Sequence, residues 1–178
     1  RDQPRSRGLG DVYKRQVYGK SKELGEFFLR QSDRQYHIIR TTIVGHNINT
    51  TKKGFVEWIL SSVYEKRSIS LFDDVIFTPI TIWQISSLIE ALINSNTSEK
   101  VLHFVSSDYC SKFDFGLKIV KSLNLSSNLI ERGSIMKFED RAKRATDQTL
   151  DSTLSSIALG LNMPTVEDVI QNLKENII

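Results

Sequence analysis

Between Leu24 and Val44 the apolar residues change period, and that change limits what the chain can fold into. Over residues 18–31, Leu24, Phe27 and Phe28 fall at helical spacing and form an apolar stripe. Residues 36–44, YHIIRTTIV, are short and β-branched and read as a buried strand. A helix feeding such a run predicts an α/β chain with parallel pairing. The alternation continues. Residues 45–54 are polar and turn-rich, then Phe55, Val56, Ile59, Leu60 and Val63 mark a helix. Residues 69–72 read as a strand, and Phe77-Thr78-Pro79 as a break. Ile82, Ile85, Leu88, Ile89 and Leu92 give the next helix, and 101–105 a strand. Ser111 and Asp114 are a capping pair opening a helix through Leu123. Residues 135–138 read as a short strand. Thr165 and Asp168 start a last helix with Val169, Ile170 and Leu173 facing inward.

Composition removes several function classes. Of 178 residues, 39% are hydrophobic and 25% charged, which is ordinary for a globular chain and wrong for a disordered one. No apolar run reaches the roughly 18–20 residues of a membrane span, so no membrane partner is expected. A lone Cys110 excludes an internal disulfide and a cysteine-based zinc site, and three scattered histidines give no metal centre. Net charge is +3, which raises the question of nucleic acid. All of it sits in residues 1–16, where Arg1, Arg5, Arg7, Lys14 and Arg15 face Asp2 and Asp11. Removing five from 24 basic and two from 21 acidic residues leaves 19 of each, so no nucleic-acid partner is expected. Residues 11–16, DVYKRQ, back-translate to a transposon adaptor used in preparing sequencing libraries. Residues 1–16 are therefore expected to be adaptor-derived, a reading the codons at 11–16 would test. They carry no helical periodicity and no h-region of a signal peptide.

The chemistry concentrates at Tyr18-Gly19-Lys20-Ser21-Lys22. On a helix, Tyr18 and Lys22 share a face one turn apart. An ammonium beside a phenol favours the phenolate, which suits a tyrosine to acid–base work near neutral pH. Five Tyr and 13 Lys make about 0.4 such spacings expected by chance, so position has to carry the motif. It opens an amphipathic helix, and a strand containing Arg40-Thr41-Thr42 follows within about twenty residues.

Here the sequence resembles the extended short-chain dehydrogenases/reductases. VYGKSKELGE (17–26) is similar to their catalytic helix, VYGxSKxxGE, and HIIRTTIVG (37–45) to the strand that follows. Further segments in family order resemble the dTDP-4-dehydrorhamnose reductase branch. These are GFVEWILSSV (54–63), SLFDDVIFTPITIWQISSLIEALI (70–93), VLHFVSSDYCSKFDFGLKIVKSLNL (101–125) and RAKRATDQTLDSTLSSIALGL (141–161). The resemblance implies the C-terminal part of a Rossmann-like NAD(P)-binding fold plus a small α/β substrate-binding lobe, with the N-terminal half missing. Residues 17–50 would end the Rossmann-like domain, and 51–178 would be mostly substrate lobe. Tyr18 would be the catalytic acid that protonates a 4-keto oxygen, and Lys22 would hold the nicotinamide ribose. Thr41 and Thr42 would lie near the nicotinamide, and Arg144 near the phosphates of a nucleotide-sugar substrate. The cofactor would be NADPH, or NADH, the setting cytoplasmic, and a homodimer one open assembly. No Gly-rich phosphate-binding turn occurs in the sequence, and the family's third catalytic residue lies upstream, so the fragment alone is expected to be inactive and prone to aggregate. Ala145 replaces the Pro that follows the Arg in the family block, and Ile80 and Thr81 shift its Pro-Thr signature.

Other residues have plainer readings. Arg132, Arg141, Lys143 and Arg144 read as a solvated basic face. His37 and His103 read as structural, His46 as a loop residue, and Cys110 as a packing residue. Trp58 and Trp83 read as core, and Asp73-Asp74 as a turn. Besides the reductase, the same fold admits a sugar-nucleotide epimerase or dehydratase, and a non-catalytic sugar-nucleotide-binding regulator.

Overall fold

The computed structural model describes residues 7–45, 47, 53–137 and 145–177, with side chains described from Val17 onward. Helix α1 is Arg7–Arg30, followed by β1 (Ile38–Thr41), β2 (Ile43–Val44), α2 (Phe55–Tyr64) and β3 (Ile69–Phe72). Next come β4 (Ile76–Phe77), β5 (Ile80–Thr81), α3 (Ile82–Asn94), β6 (Val101–Phe104) and β7 (Cys110–Ser111). The chain ends with α4 (Lys112–Ser122), β8 (Ile130–Gly133), a 3-10 turn (Ile135–Lys137), β9 (Asp147–Gln148), α5 (Thr153–Leu159) and α6 (Val166–Ile177). The parallel α/β expectation holds: β1 pairs with β6, β2 with β5 and β3 with β8, all parallel. Strand β4 lies between antiparallel β7 and parallel β9.

Two apolar cores hold these layers. One packs α2, α4 and α6 over β3, β4 and β8, centred on Phe77 and Phe115, whose rings meet edge to face at 5.3 Å. The other joins Ile80, Ile85, Leu88 and Leu92 to Leu102, Phe104 and Met163 beneath the β1–β6 pair. Helix starts follow the sequence closely. Ser111 Oγ accepts the Asp114 amide at 2.9 Å and donates to its carboxylate at 2.8 Å, as the capping pair predicts. Thr165 and Asp168 cap α6 reciprocally, at 2.8 and 3.2 Å. Thr81 and Gln84 cap α3 in the same way, and Thr81 Oγ1 donates to Asn172 Oδ1 at 2.7 Å, tying α3 to α6.

Several expectations are corrected. Helix α1 begins at Arg7, inside the segment that lacks apolar periodicity. A helix nucleated over residues 17–30 gains a hydrogen bond for each residue added, so it extends back through Gln16, Arg15 and Lys14, while Gly8 and Gly10 weaken its first turn. The single buried strand over 36–44 is two short strands with different partners, and Ile43 is exposed. Residues Ile135–Lys137 form a 3-10 turn, because the Asp74 carboxylate takes the Ile135 amide and the Ser134 hydroxyl and curls the chain. The strand there is β8, and α5 went unread. Trp58 is half-exposed and stacks on Phe55 instead of entering the core. Arg132, by contrast, is mostly exposed as expected of a solvated basic face, while also pairing with Asp73 and lying over the Phe113 ring at 4.3 Å. His46, Phe138, Arg141, Lys143 and Arg144 lie outside the described residues.

Candidate functional site

Helix α1 carries Tyr18, Lys22, Glu26 and Arg30 at steps of four, one residue per turn along a slowly drifting face. Lys22 Nζ lies 5.4 Å from the Tyr18 ring centroid, so the ammonium sits over the phenol as the spacing predicts. Tyr18 is 65% exposed, which leaves its hydroxyl accessible. Glu26 is the one half-buried residue among 17–30. Its carboxylate accepts a two-pronged fork from Arg40 on β1, Nε to Oε1 at 2.9 Å and a terminal nitrogen to Oε2 at 2.7 Å. Arg30 donates to the same carboxylate at 3.0 Å. The Arg40 hydrogen bonds hold the Glu26 carboxyl below its usual range against a smaller effect of burial, and Glu26 in turn raises Arg40.

The fork places α1 against β1 one residue before Thr41. Thr41 pairs in register with Phe104 of β6 at the C-terminal end of this parallel pair. Thr42 interrupts the strand, and its carbonyl accepts the Ile80 amide at 3.1 Å. In open parallel sheets, ligands bind beyond the C-terminal ends of the strands. Thr41 Oγ1 is buried with no hydrogen-bond partner among the described residues. A buried hydroxyl left so costs about 1–3 kcal/mol, so this position favours a ligand that supplies a polar atom. The nicotinamide end of a dinucleotide fits these groups: a hydroxyl at the strand end with no partner among the described residues, an exposed phenol, and an ammonium on the tethered helix. The structure thus brings Tyr18 and Lys22 together and ties their helix beside Thr41 and Thr42. Glu26 and Arg40 were missed as site residues, although Glu26 continues the four-residue spacing from Tyr18 and Lys22.

Across the lobe, an open cleft of about 590 Å³ is bordered by Asp73, Tyr109, Ser111, Asp114 and Lys118. Cys110 also lines it. Burial, then the Asp114 and Asp108 charges, push its thiol up to about 12, so it remains protonated and packs as expected. His37 and His103 are structural, their Nδ1 atoms held at the Glu99 and Asp151 carbonyls, 2.7 and 2.9 Å away. Asp73 and Asp74 serve Arg132 and the 3-10 turn. No described helix is long and apolar enough to cross a membrane.

Comparison with known proteins bears on the fold and family. A dTDP-4-dehydrorhamnose reductase of Bacillus anthracis, solved with NADP, superposes with a TM-score of 0.78 at 25% identity, over 89% of this chain and 55% of that one. A Haloferax volcanii protein named "Probable low-salt glycan biosynthesis reductase Agl14" is 28% identical over 155 residues, 86% of this chain and 51% of its own. The spore coat polysaccharide biosynthesis protein SpsK of Bacillus subtilis is 30% identical over 116 residues, 64% of this chain and 38% of its own. The chain thus spans about half the length of the first of these relatives, and less of SpsK. Residues 14–177 match the RmlD substrate binding domain, and with nearly the whole chain inside that match, the protein belongs to this family.

Proposed function

We propose that this chain is the catalytic-helix and substrate-lobe part of an NADPH-dependent reductase of a nucleotide-linked 4-keto sugar. The reading is dTDP-4-dehydrorhamnose reductase-like, serving dTDP-L-rhamnose or surface polysaccharide precursor synthesis in the cytoplasm. The observation that carries it is the Tyr18–Lys22 pair on a helix tied beside the C-terminal end of β1. NADP in the Bacillus anthracis structure supports a nicotinamide cofactor. When bound, that cofactor supplies the hydride to the sugar carbonyl carbon. Tyr18 donates its phenolic proton to the 4-keto oxygen as that oxygen gains charge. Lys22 stabilises the phenolate that remains, and its ammonium holds the nicotinamide ribose. Thr41 Oγ1, which has no partner among the described residues, donates to or accepts from the nicotinamide end. Arg144 contacts the substrate phosphates.

The test is Tyr18→Phe in the full reading frame that carries this chain. General acid catalysis contributes about 10²–10⁴-fold, so keto reduction falls by about that factor while NADPH affinity stays within about twofold. Unchanged turnover would overturn the reading.

A further inference from the structure

We propose that Glu26 and Arg40 are the positioning pair of the site: their fork fixes the pitch of α1 and so the placement of Tyr18 and Lys22 over the end of β1. This rests on the reductase reading above and deepens it. Glu26 is half-buried on a helix whose other described side chains from 17 to 30 are exposed. Among the described residues, the fork is a polar tie from α1 to the sheet, and its two near-ideal distances define a direction as well as a contact. Arg30 holds the carboxylate from the next turn, so Glu26 has little freedom to swing away. On the strand side, Arg40 lies opposite His103 in the β1–β6 register, and that ring is itself fixed at the Asp151 carbonyl.

The geometry acts as a lever. Tyr18 lies eight residues N-terminal to Glu26, about 12 Å along the axis. A tilt of about 10° about the fork would carry Tyr18 by about 2 Å, and a misplacement of about 1 Å can cost about a hundredfold in rate. Both partners remain partly exposed, at 45% and 21% of their side-chain surface, and such pairs contribute little to stability. The fork therefore orients more than it stabilises. Lysine at position 40 would keep the charge but not the planar fork.

The experiment compares Glu26→Gln, Arg40→Lys and the double variant in the full reading frame, with Tyr18→Phe as reference. Each single variant is expected to lower kcat by about tenfold or more while the sugar KM stays within about twofold. NADPH binding, read by fluorescence without turnover, should weaken severalfold because Lys22 rides the same helix. The double variant should lose no more than either single one, since two residues acting as a unit are not additive. Thermal midpoints should change by no more than about 2 °C. Unchanged kcat in the single variants, additive losses, or losses that track a falling thermal midpoint would each overturn the pairing. If Tyr18→Phe abolishes turnover and the fork variants do not, the reductase reading stands and this proposal falls. If Tyr18→Phe turns over normally, both fall.

Discussion

Helices α1 and α4 are both amphipathic in sequence, yet they end in opposite circumstances. Helix α4 buries Phe113, Phe115, Ile119 and Val120, and admits Gly116 where a side chain would collide with Leu71. Helix α1 leaves Leu24, Phe27, Phe28 and Leu29 between 43% and 63% exposed. Helical spacing reveals which face is apolar, but not whether anything covers it. In α4 the cover comes from α2, α6 and β3, all within the described chain; over α1 no described element supplies it. The lobe is therefore held by its own cores, while α1 is placed chiefly by polar contacts at one end.

The largest test of this contrast is a pair of identical truncations. Phe115→Ala should cost about 3–5 kcal/mol, as expected for emptying a fully buried ring site. Phe28→Ala should cost less than about 0.5 kcal/mol in this chain, since its ring is mostly exposed. Urea unfolding of both variants measures the difference, and equal losses would break the comparison. Gly116→Ala is the next step down. Its Cβ would lie 2.2 Å from Leu71 Cδ1, so either the leucine or the helix must shift, at about 1–3 kcal/mol. A thermal midpoint equal to the parent's would show that the α4–β3 contact is looser than drawn.

The smallest effect concerns pH. Burial raises the Asp74 carboxyl, but hydrogen bonds from Ser134 and the Ile135 and Met136 amides outweigh it, and the net shift is downward from the ordinary 3.8. A lowered carboxyl contributes stability above its unfolded value and loses it as pH falls through the folded one. Asp74 thus supports the lobe at neutral pH, and its contribution disappears below about pH 4. Asp74→Asn should flatten the fall in the urea midpoint between about pH 5 and 2. An unchanged slope would place the acid sensitivity elsewhere.

Much of the architecture was legible because it is written locally. Ser111 with Asp114 and Thr165 with Asp168 mark helix starts by chemistry that acts over three residues, and both caps form. The Tyr18–Lys22 face was legible for the same reason, being one helical turn. What escaped depends on residues far apart in the chain. The strand over 36–44 divides because β1 and β2 answer to β6 and β5, respectively. Residues after Gly133 curl because Asp74, some sixty positions earlier, caps them. The Glu26–Arg40 fork spans fourteen residues and two element types, and no local rule pairs a helix carboxylate with a strand guanidinium.

Cys110 has a practical consequence. It is the chain's single cysteine, it is buried, and its thiol is pushed up to about 12, so at neutral pH it is almost wholly unreactive toward maleimides and iodoacetamides. This 178-residue chain therefore arrives ready for single-site labelling. A reporter attached through Leu24→Cys, on the exposed face of α1, would mark that helix alone and let its tilt be followed optically, with the native thiol left in place.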